Sequence, residues 1–201
     1  MSTKRLIIGV TGGVACGKSL VVNELKRRGA RIIDADRIAR QIVKKKGQCY
    51  AQLIKQFGKT IRTKAGNISR TKLRRIVFGD SLKRKKLEKI THPVIIRNIK
   101  SQLARLRDGV IVLDAPLLFE AGIEDLVDRI IVVWSNQHLQ IKRLAKRRKL
   151  TFDEARAIMR AQMPISKKII KADYVIRNTG TIRDLRRSVR AICEKLPAIV
   201  K

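Results

Sequence analysis

Residues 12–19 form a segment whose residue types could hold a phosphate chain. Its sequence, Gly-Gly-Val-Ala-Cys-Gly-Lys-Ser, fits the pattern G-x-x-x-x-G-K-[ST] at every fixed position. In such a loop the glycines allow a tight bend, and successive backbone N–H groups and the N-terminus of the next helix face the anion. Lys18 is expected to reach the β- and γ-phosphates of a nucleotide, and the Ser19 hydroxyl to bind Mg²⁺. The predicted nucleotide-binding residues here are Gly12, Gly13, Val14, Ala15, Cys16, Gly17, Lys18, Ser19 and Leu20.

Two carboxylates could supply further chemistry. Asp34 and Asp36 follow the predicted strand Arg31–Ile33, where the active sites of parallel α/β sheets form. In an extended chain their spacing turns both carboxylates to one side. One could hold Mg²⁺ through water, while the other, for which Asp36 is the first choice, accepts the proton of an acceptor hydroxyl. The alternative is that Asp36 only caps a helix starting near Arg37.

Further charged residues follow the later predicted strands. Asp114 ends the strand Val110–Leu113, which suits either the second acidic residue of a phosphate-loop enzyme, bound to Mg²⁺ through water, or an ordinary turn. Phosphoryl transfer needs an aligned acceptor and positive charge on the transferring group. Arg143 and Arg147 are interpreted as arginines of a mobile lid that stabilises this charge, and the alternative for this basic run is a solvated helix face.

The two histidines do not predict a metal site built by the protein. His138 has no companion ligand in the sequence, and a lone histidine is usually structural. His92 precedes Pro93, which is expected to end or kink its helix.

Short apolar runs alternate with helical patterns along the chain, which indicates a parallel sheet covered by helices. Residues 130–133 show no polar alternation, as expected of a strand buried on both faces. Thr151 with Glu154, and Thr181 with Asp184, are typical of helix starts. The predicted strands are Leu6–Val10, Arg31–Ile33, Val110–Leu113, Arg129–Trp134 and Tyr174–Ile176. The last helix carries Leu185, Val189, Ile192 and Leu196 on one face.

The long gap between the second and third strands predicts a helical insertion, because it exceeds a simple crossover. From Arg37 to Gly79 there is no Asp or Glu, which suits a surface for a bulky anionic substrate and equally a solvated basic face. The chain is therefore expected to form one unit with a core at about 1–36, 109–135 and 172–201, an insertion at about 37–108 and a lid at about 136–171.

The composition of the 201-residue chain argues against membrane and secreted proteins. Hydrophobic residues make up 44%, enough for a core, but no run approaches the roughly 20 apolar residues of a membrane span. The first strand leaves no room for a secretory signal, and the three separated cysteines predict reduced thiols. We therefore expect a cytoplasmic protein without a membrane partner, as a monomer or weak oligomer.

The net charge of +32 implies anionic partners. Only 3% of residues are aromatic, so bases have few stacking platforms, and weak, sequence-independent nucleic-acid binding is the most that the charge predicts. Cys16 lies within the loop, where the helix N-terminus and Lys18 are expected to favour a reactive thiolate.

Together these segments resemble the dephospho-coenzyme A kinase family along nearly the whole chain. The phosphate loop occurs in many nucleotide enzymes, whereas three further blocks in this order are far more specific. They are Ile33-Asp34-Ala35-Asp36 with Arg40, then Pro116-Leu117-Leu118-Phe119-Glu120, then Ala172-Asp173-Tyr174-Val175-Ile176 with Asn178 and Gly180. The pairs His92-Pro93 and Arg143 with Arg147, together with Gln140 and Gln162, add to the likeness.

The resemblance implies a three-layer α/β phosphate-loop kinase with a parallel sheet, a helical substrate domain and a lid. It implies phosphorylation of the ribose 3′-hydroxyl of dephospho-CoA by ATP with Mg²⁺. Asp36 would be the base, Arg143 and Arg147 would belong to the lid, and Asn178 and Gly180 would lie near adenine. The residues implied to bind the acceptor are Asp34, Asp36, Arg40, His92, Pro116, Leu117, Leu118 and Glu120.

The chain departs from the family pattern at three positions. Relatives commonly have Ser or Gly in place of Cys16 and Thr in place of Leu20, but Ser19 keeps the metal-binding hydroxyl. They often have Arg in place of Ala157, which Arg156 or Arg160 could replace. Three alternative functions remain at this point. They are another small-molecule kinase of this fold, a nucleic-acid-binding protein that uses ATP, and a GTPase, whose guanine-binding N-K-x-D motif is absent from this sequence.

Overall fold

The computed structural model describes residues 5–77, 80–148 and 151–196, without the side chains of Arg147 and Arg148. The strands are β1 (Leu6–Gly12), β2 (Arg31–Asp34), β3 (Val110–Asp114), β4 (Arg129–Trp134) and β5 (Tyr174–Arg177). The helices are α1 (Lys18–Arg27), α2 (Ala35–Ile42), α3 (Tyr50–Phe57), α4 (Arg70–Val77), α5 (Ser81–Arg105), α6 (Gln137–Arg148), α7 (Phe152–Arg160), α8 (Ile165–Ile170) and α9 (Ile182–Lys195). The chain divides into a sheet unit, residues 1–34 and 105–201, and a helical unit, residues 35–104.

The sheet unit contains five parallel strands in the order β2-β3-β1-β4-β5. All five strands predicted from apolar runs are confirmed, and the parallel α/β fold with them. The central strands β1 and β3 are almost wholly buried, and β4 is buried at residues 131–133, as expected when helices cover both faces. Their carboxyl ends meet at one edge, where Gly12 lies beside Val133 and Asp114 beside Asp34.

Helices α1 and α9 pack together on the sheet. Val21, Val22 and Leu25 of α1 share one buried core with strand residues and with the face predicted for the last helix. That face consists of Leu185, Val189 and Ile192 of α9 and of Leu196, which caps its C-terminus. Both predicted helix starts are confirmed as capping boxes, in which a threonine hydroxyl accepts from the N–H three residues later and that residue's carboxylate accepts in return. The apolar periodicity and the helix caps seen in the sequence thus account for where these helices begin and which of their faces are buried.

The helical unit contains α2 to α5, a 3₁₀ turn at Lys59–Ile61 and a short antiparallel bridge between Arg62 and Ile68. Leu53, Ile61 and Ile99 are among its fully buried side chains. Helix α5 runs through Pro93, so of the two alternatives expected for this proline, an end or a kink of the helix, the end is wrong. The ring removes one N–H donor from the helix, which continues on both sides of it.

The junction of β2 and α2 corrects two expectations about the acidic pair. Helix α2 begins at Ala35, so Asp36 lies in its first turn and does not cap a helix starting near Arg37. Asp34 ends β2, so the two residues do not share an extended segment, and the argument that their spacing turns both carboxylates to one side does not apply.

Among the described helices, none is long and apolar enough to cross a membrane.

Candidate active site

The phosphate loop joins β1 to α1 at the carboxyl edge of the sheet. Its glycines are required by close packing: a Cβ on Gly12 would collide with the backbone oxygen of Val133, and one on Gly13 would lie 2.6 Å from Gln140 Oε1. Gly17 has a φ of +91°, in the left-handed region that favours glycine. The loop therefore takes its shape from neighbours that leave no room for side chains.

Buried polar side chains form a chain of hydrogen bonds that ends on the backbone of the phosphate loop. Asn178 Nδ2 donates to the Cys16 carbonyl at 2.8 Å, and a Cβ on Gly17 would collide with this amide. Ser135 Oγ donates to the Asn178 carbonyl at 3.0 Å, and Gln140 Nε2 donates to the Ser135 carbonyl at 2.6 Å. Only 6% of Asn178 is exposed. Its amide thus contacts the loop backbone, a role that the resemblance, which placed it near adenine, did not predict.

Helices α6 and α7 pack against the outside of the loop. Ile141, Leu144 and Ala155 form a small apolar cluster, and Val14 and Ala15 of the loop pack on it. From α6, Arg143 Nη1 also donates to Ser135 Oγ at 3.3 Å. The segment predicted as a lid is thus in contact with the loop, while the side chain of Arg147 lies outside the described residues.

Lys18 and Asp114 pair their charges at the carboxyl edge of the sheet. The Lys18 ammonium forms an ion pair with the Asp114 carboxylate, and both side chains are largely buried. Asp34 lies beside Asp114 in the register of β2 and β3, and Ser19 lies in the first turn of α1. Carboxylates and a hydroxyl are the oxygen ligands that Mg²⁺ prefers, and it usually binds through one or two carboxylates with phosphates and water. This donor set fits Mg²⁺, although the described residues contain no cluster of three or more His, Cys, Asp or Glu side chains that could hold a metal ion without phosphates or water.

The burial of Cys16 contradicts the expectation that its side chain is a reactive thiolate. Only 1% of the residue is exposed. Burial raises the pKa of the Cys16 thiol, an effect that outweighs the opposing influence of the nearby Lys18 charge. The sequence argument counted the neighbouring charge but not the loss of water, which penalises a thiolate more strongly here.

The turn after β3 is anchored on one side and open on the other. The Pro116 carbonyl accepts a hydrogen bond from Thr11 Oγ1 at 3.0 Å. Leu117 is 44% exposed, whereas Leu118 has no exposed surface and would contact a side chain added at Gly9. Leu118 is therefore part of the core and offers a substrate no surface, in contrast to the binding role implied for it.

Glu120 is tied to the segment that follows α7. It accepts from the Met163 N–H at 2.9 Å and pairs with Lys168, whose ammonium lies 2.8 Å from its Oε1. A buried lysine was not predicted here, since Lys167 and Lys168 are alike in the sequence and only packing distinguishes them.

Other predicted residues lie in the helical unit or at the surface. Asp36 and Arg40 are exposed on α2, four residues apart and thus on one face, and His92 is half-buried on α5. In the sheet unit, Gly180 is exposed and precedes the capping box of α9.

Comparison with known proteins agrees with these features. The sequence model of the dephospho-CoA kinase family matches residues 6–184. The chain is 46% identical over 192 residues to a dephospho-CoA kinase of Carboxydothermus hydrogenoformans, covering 94% of this chain and 93% of the relative.

Solved structures show the same likeness. The TT1252 protein of Thermus thermophilus superposes with a TM-score of 0.83 at 31% identity, covering 96% of this chain and 99% of that one. A dephospho-CoA kinase from Campylobacter jejuni gives 0.63 at 30% identity, with 95% and 97% covered. The family model matches most of the chain, which also carries the phosphate loop, the acidic block at residues 33–36 and the block at residues 116–120 that begins with proline. This chain therefore belongs to the dephospho-CoA kinase family.

Proposed function

We propose that this protein transfers the γ-phosphoryl group of ATP to the ribose 3′-hydroxyl of dephospho-CoA, giving coenzyme A and ADP. The observation that carries the proposal is the phosphate loop at the carboxyl edge of the parallel sheet, with Lys18 held by Asp114, in a chain that matches this family from residue 6 to 184. Active sites of open parallel sheets form at this edge.

The sheet unit binds the nucleotide in this proposal. The N–H groups of residues 12–17 and the start of α1 face the phosphates, and Lys18 supplies a positive charge to the transferring group. Ser19 would hold Mg²⁺, and Asp34 and Asp114 would contact it through water. When bound, Mg²⁺ neutralises part of the charge on the phosphate oxygens. Asn178 and Gly180, at the end of β5, form the adenine side, where the Asn178 amide also keeps the loop in shape.

The helical unit supplies the acceptor side. Asp36, exposed in the first turn of α2, takes the proton of the 3′-hydroxyl. Arg40, four residues along the same helix, gives an anionic acceptor a positive partner. His92 of α5 and the outer side of the turn formed by Pro116, Leu117 and Glu120 border the acceptor. The insertion at about 37–108 is thus the acceptor-binding part of the enzyme.

Helices α6 and α7 form the lid, within residues 136–171. They pack on Val14 and Ala15 of the phosphate loop, so a movement of the lid would shift the loop residues that bind the phosphates. Arg143 and Arg147 bring positive charge to the transition state. The bond from Arg143 to Ser135 links this arginine to the residues that support the loop.

A selective turnover assay tests the proposed acceptor. Purified protein is given ATP and Mg²⁺ with dephospho-CoA, a nucleoside, shikimate or RNA, and ADP formation is followed. We expect turnover with dephospho-CoA alone. Faster turnover with a nucleoside or shikimate would assign the chain to another small-molecule kinase activity.

The charge of the helical unit supports a second, weaker interaction with nucleic acid. Residues 35–104 contain 20 Lys and Arg but only 3 Asp and Glu. Such a surface attracts phosphate backbones by counterion release, and the binding weakens steeply with salt. RNA binding should therefore be lost between low and moderate salt, together with a rise in the KM values of ATP and dephospho-CoA. RNA binding that depends on sequence and persists at high salt would contradict this account.

A further inference from the structure

We propose that Lys168 is a positioning residue for the acceptor, which acts by holding the turn 116–120 in place from helix α8. The inference rests on the proposed function, which assigns the outer side of this turn to the acceptor. Lys168 belongs to none of the motifs that define the nucleotide site, and it requires an explanation because lysine is almost never fully buried.

The environment of the Lys168 ammonium is made of acceptors from one turn. The side chain has 0% exposure, and Nζ lies 2.8 Å from Glu120 Oε1 and 3.2 Å from Glu120 Oε2. Nζ also donates to the Pro116 carbonyl at 2.9 Å. A lysine ammonium can only donate, so a carboxylate and a carbonyl on the same turn are suitable partners. Lys168 thus fixes the first and last residues of the turn 116–120.

Each of these partners also binds a third segment. The Pro116 carbonyl accepts from Thr11 Oγ1 at 3.0 Å, and Thr11 directly precedes the phosphate loop. Glu120 Oε1 accepts from the Met163 N–H at 2.9 Å, just before α8. The Lys168 contacts therefore join the end of β1, the turn after β3 and the segment before α8 in one partly buried network.

The arrangement predicts which function is lost without Lys168. The Thr11 bond to Pro116 does not involve the ammonium, so the entry to the phosphate loop retains a direct contact. Glu120 would lose its cation, and the far end of the turn would be held mainly through Met163. The exposed Leu117 lies between these two ends. A displacement of about 1 Å in a positioning segment can cost on the order of 10²-fold in kcat/KM for the substrate that it positions. Since the turn is assigned to the acceptor and the Thr11 contact beside the phosphate loop remains, the constants of dephospho-CoA should change more than those of ATP.

The test compares Lys168→Met with Lys167→Met in the full-length protein. Lys167 is the preceding residue of the same helix and is exposed, so its variant makes the same change in charge. For Lys168→Met we expect the KM of dephospho-CoA to rise about tenfold or more, with the KM of ATP within about twofold of wild type. Lys167→Met should match wild type in both constants.

A second variant protects the test against misfolding. In Lys168→Gln the side-chain amide can still donate to Pro116 but carries no charge, so its KM for dephospho-CoA should lie between wild type and Lys168→Met. The melting temperature of each variant is recorded, and if Lys168→Met does not fold, Lys168→Gln is used for the comparison.

The inference is overturned if a folded Lys168 variant has the same two KM values as Lys167→Met, or if the KM values of ATP and dephospho-CoA rise by the same factor. A wild-type protein that binds ATP but does not phosphorylate dephospho-CoA contradicts the proposed function, and this inference falls with it. Turnover by the wild-type protein therefore separates the two failures.

Discussion

The sheet unit and the helical unit differ in charge and in how they contribute to the site. The sheet unit contains 28 basic and 13 acidic residues, and acidic groups such as Asp114 and Glu120 pair with specific lysines there. In the helical unit, 20 basic residues face only 3 acidic ones. The sheet unit thus uses charge to fix loops, and the excess positive charge of the helical unit supports the proposal that this unit binds an anionic partner.

This comparison suggests a division of labour. In the proposed function, the sheet unit holds the nucleotide with a loop whose glycines and buried amides leave little freedom. The helical unit supplies the acceptor side and the base Asp36 from an exposed helix face. Variants in the two units should therefore affect different kinetic constants.

Asp36→Asn, in the helical unit, should have the largest effect. The amide keeps the shape of the side chain but cannot take the proton of the acceptor hydroxyl, and loss of a general base lowers kcat by about 10²- to 10⁴-fold. The KM of ATP should change little, because the nucleotide belongs to the other unit. Steady-state kinetics measure both constants.

Asp80→Asn is the matched control, since Asp80 is a partly exposed carboxylate of the helical unit that caps α5 and pairs with Lys83 on the same helix. If Asp36→Asn has the kcat of this control while Asp34→Asn loses activity, the base is Asp34 and the division between the units is wrong.

Lys18→Met, in the sheet unit, should follow. One lost transition-state contact can reduce kcat by about 10²- to 10³-fold, and the KM of ATP should rise as well because the same charge binds the phosphates. Lys26→Met, on the exposed side of the same helix α1, provides the control. A Lys18→Met enzyme with the kcat of Lys26→Met would exclude the loop as the phosphoryl-transfer site.

Asn178→Ala should weaken ATP binding without altering acceptor binding. It removes the donor to the Cys16 carbonyl and leaves a buried acceptor unsatisfied, which costs about 1–3 kcal/mol of stability. We expect a lower melting temperature. Because the lost contact holds the loop, about 1.4 kcal/mol of this cost falling on the ATP-binding conformation of the loop would raise the KM of ATP about tenfold. Thr179→Ala changes an exposed neighbour and should have neither effect. Equal changes in the KM values of ATP and dephospho-CoA would argue against a loop-specific role.

The smallest effect concerns pH and the buried thiol of Cys16. Burial raises the pKa of this thiol above its ordinary value of 9.0, so the folded protein holds the proton more tightly than the unfolded chain does. The contribution of the protonated Cys16 thiol to the free energy of unfolding is therefore fully present below about pH 9. It is lost as the pH rises through the higher pKa of the folded state.

Melting temperatures between pH 7 and pH 10 check this effect. The wild-type protein should lose more stability than Cys16→Ala over this range, although Cys49 and Cys193, whose pKa values burial also raises, contribute in both proteins. The same pH profile for both proteins would show that Cys16 does not titrate as burial predicts.

The fold was largely predictable because its signals are local. Runs such as Ile130 to Val133 identify buried strands, and Thr151 and Thr181 begin helices through contacts within three residues. The phosphate loop was equally visible, because its function depends on residues at fixed spacing.

The supporting contacts of the site were not predictable because they join distant parts of the chain. Asn178 and Cys16 are 162 positions apart, and Lys168 and Glu120 are 48 apart. The state of Cys16 was predicted wrongly for the same reason, since its burial depends on the neighbouring strand and helices. Local sequence also did not show that α5 continues through Pro93.

The position of the transferred phosphate tests the central claim most directly. Wild-type protein and Lys18→Met are incubated with dephospho-CoA, Mg²⁺ and ATP labelled at the γ-phosphate, and the product is analysed by mass spectrometry and ³¹P NMR. The account predicts a single new phosphate ester on the ribose 3′-oxygen, formed by the wild-type protein and reduced about 10²-fold or more in Lys18→Met. Label on another hydroxyl, or release of labelled inorganic phosphate with dephospho-CoA unchanged, would contradict it.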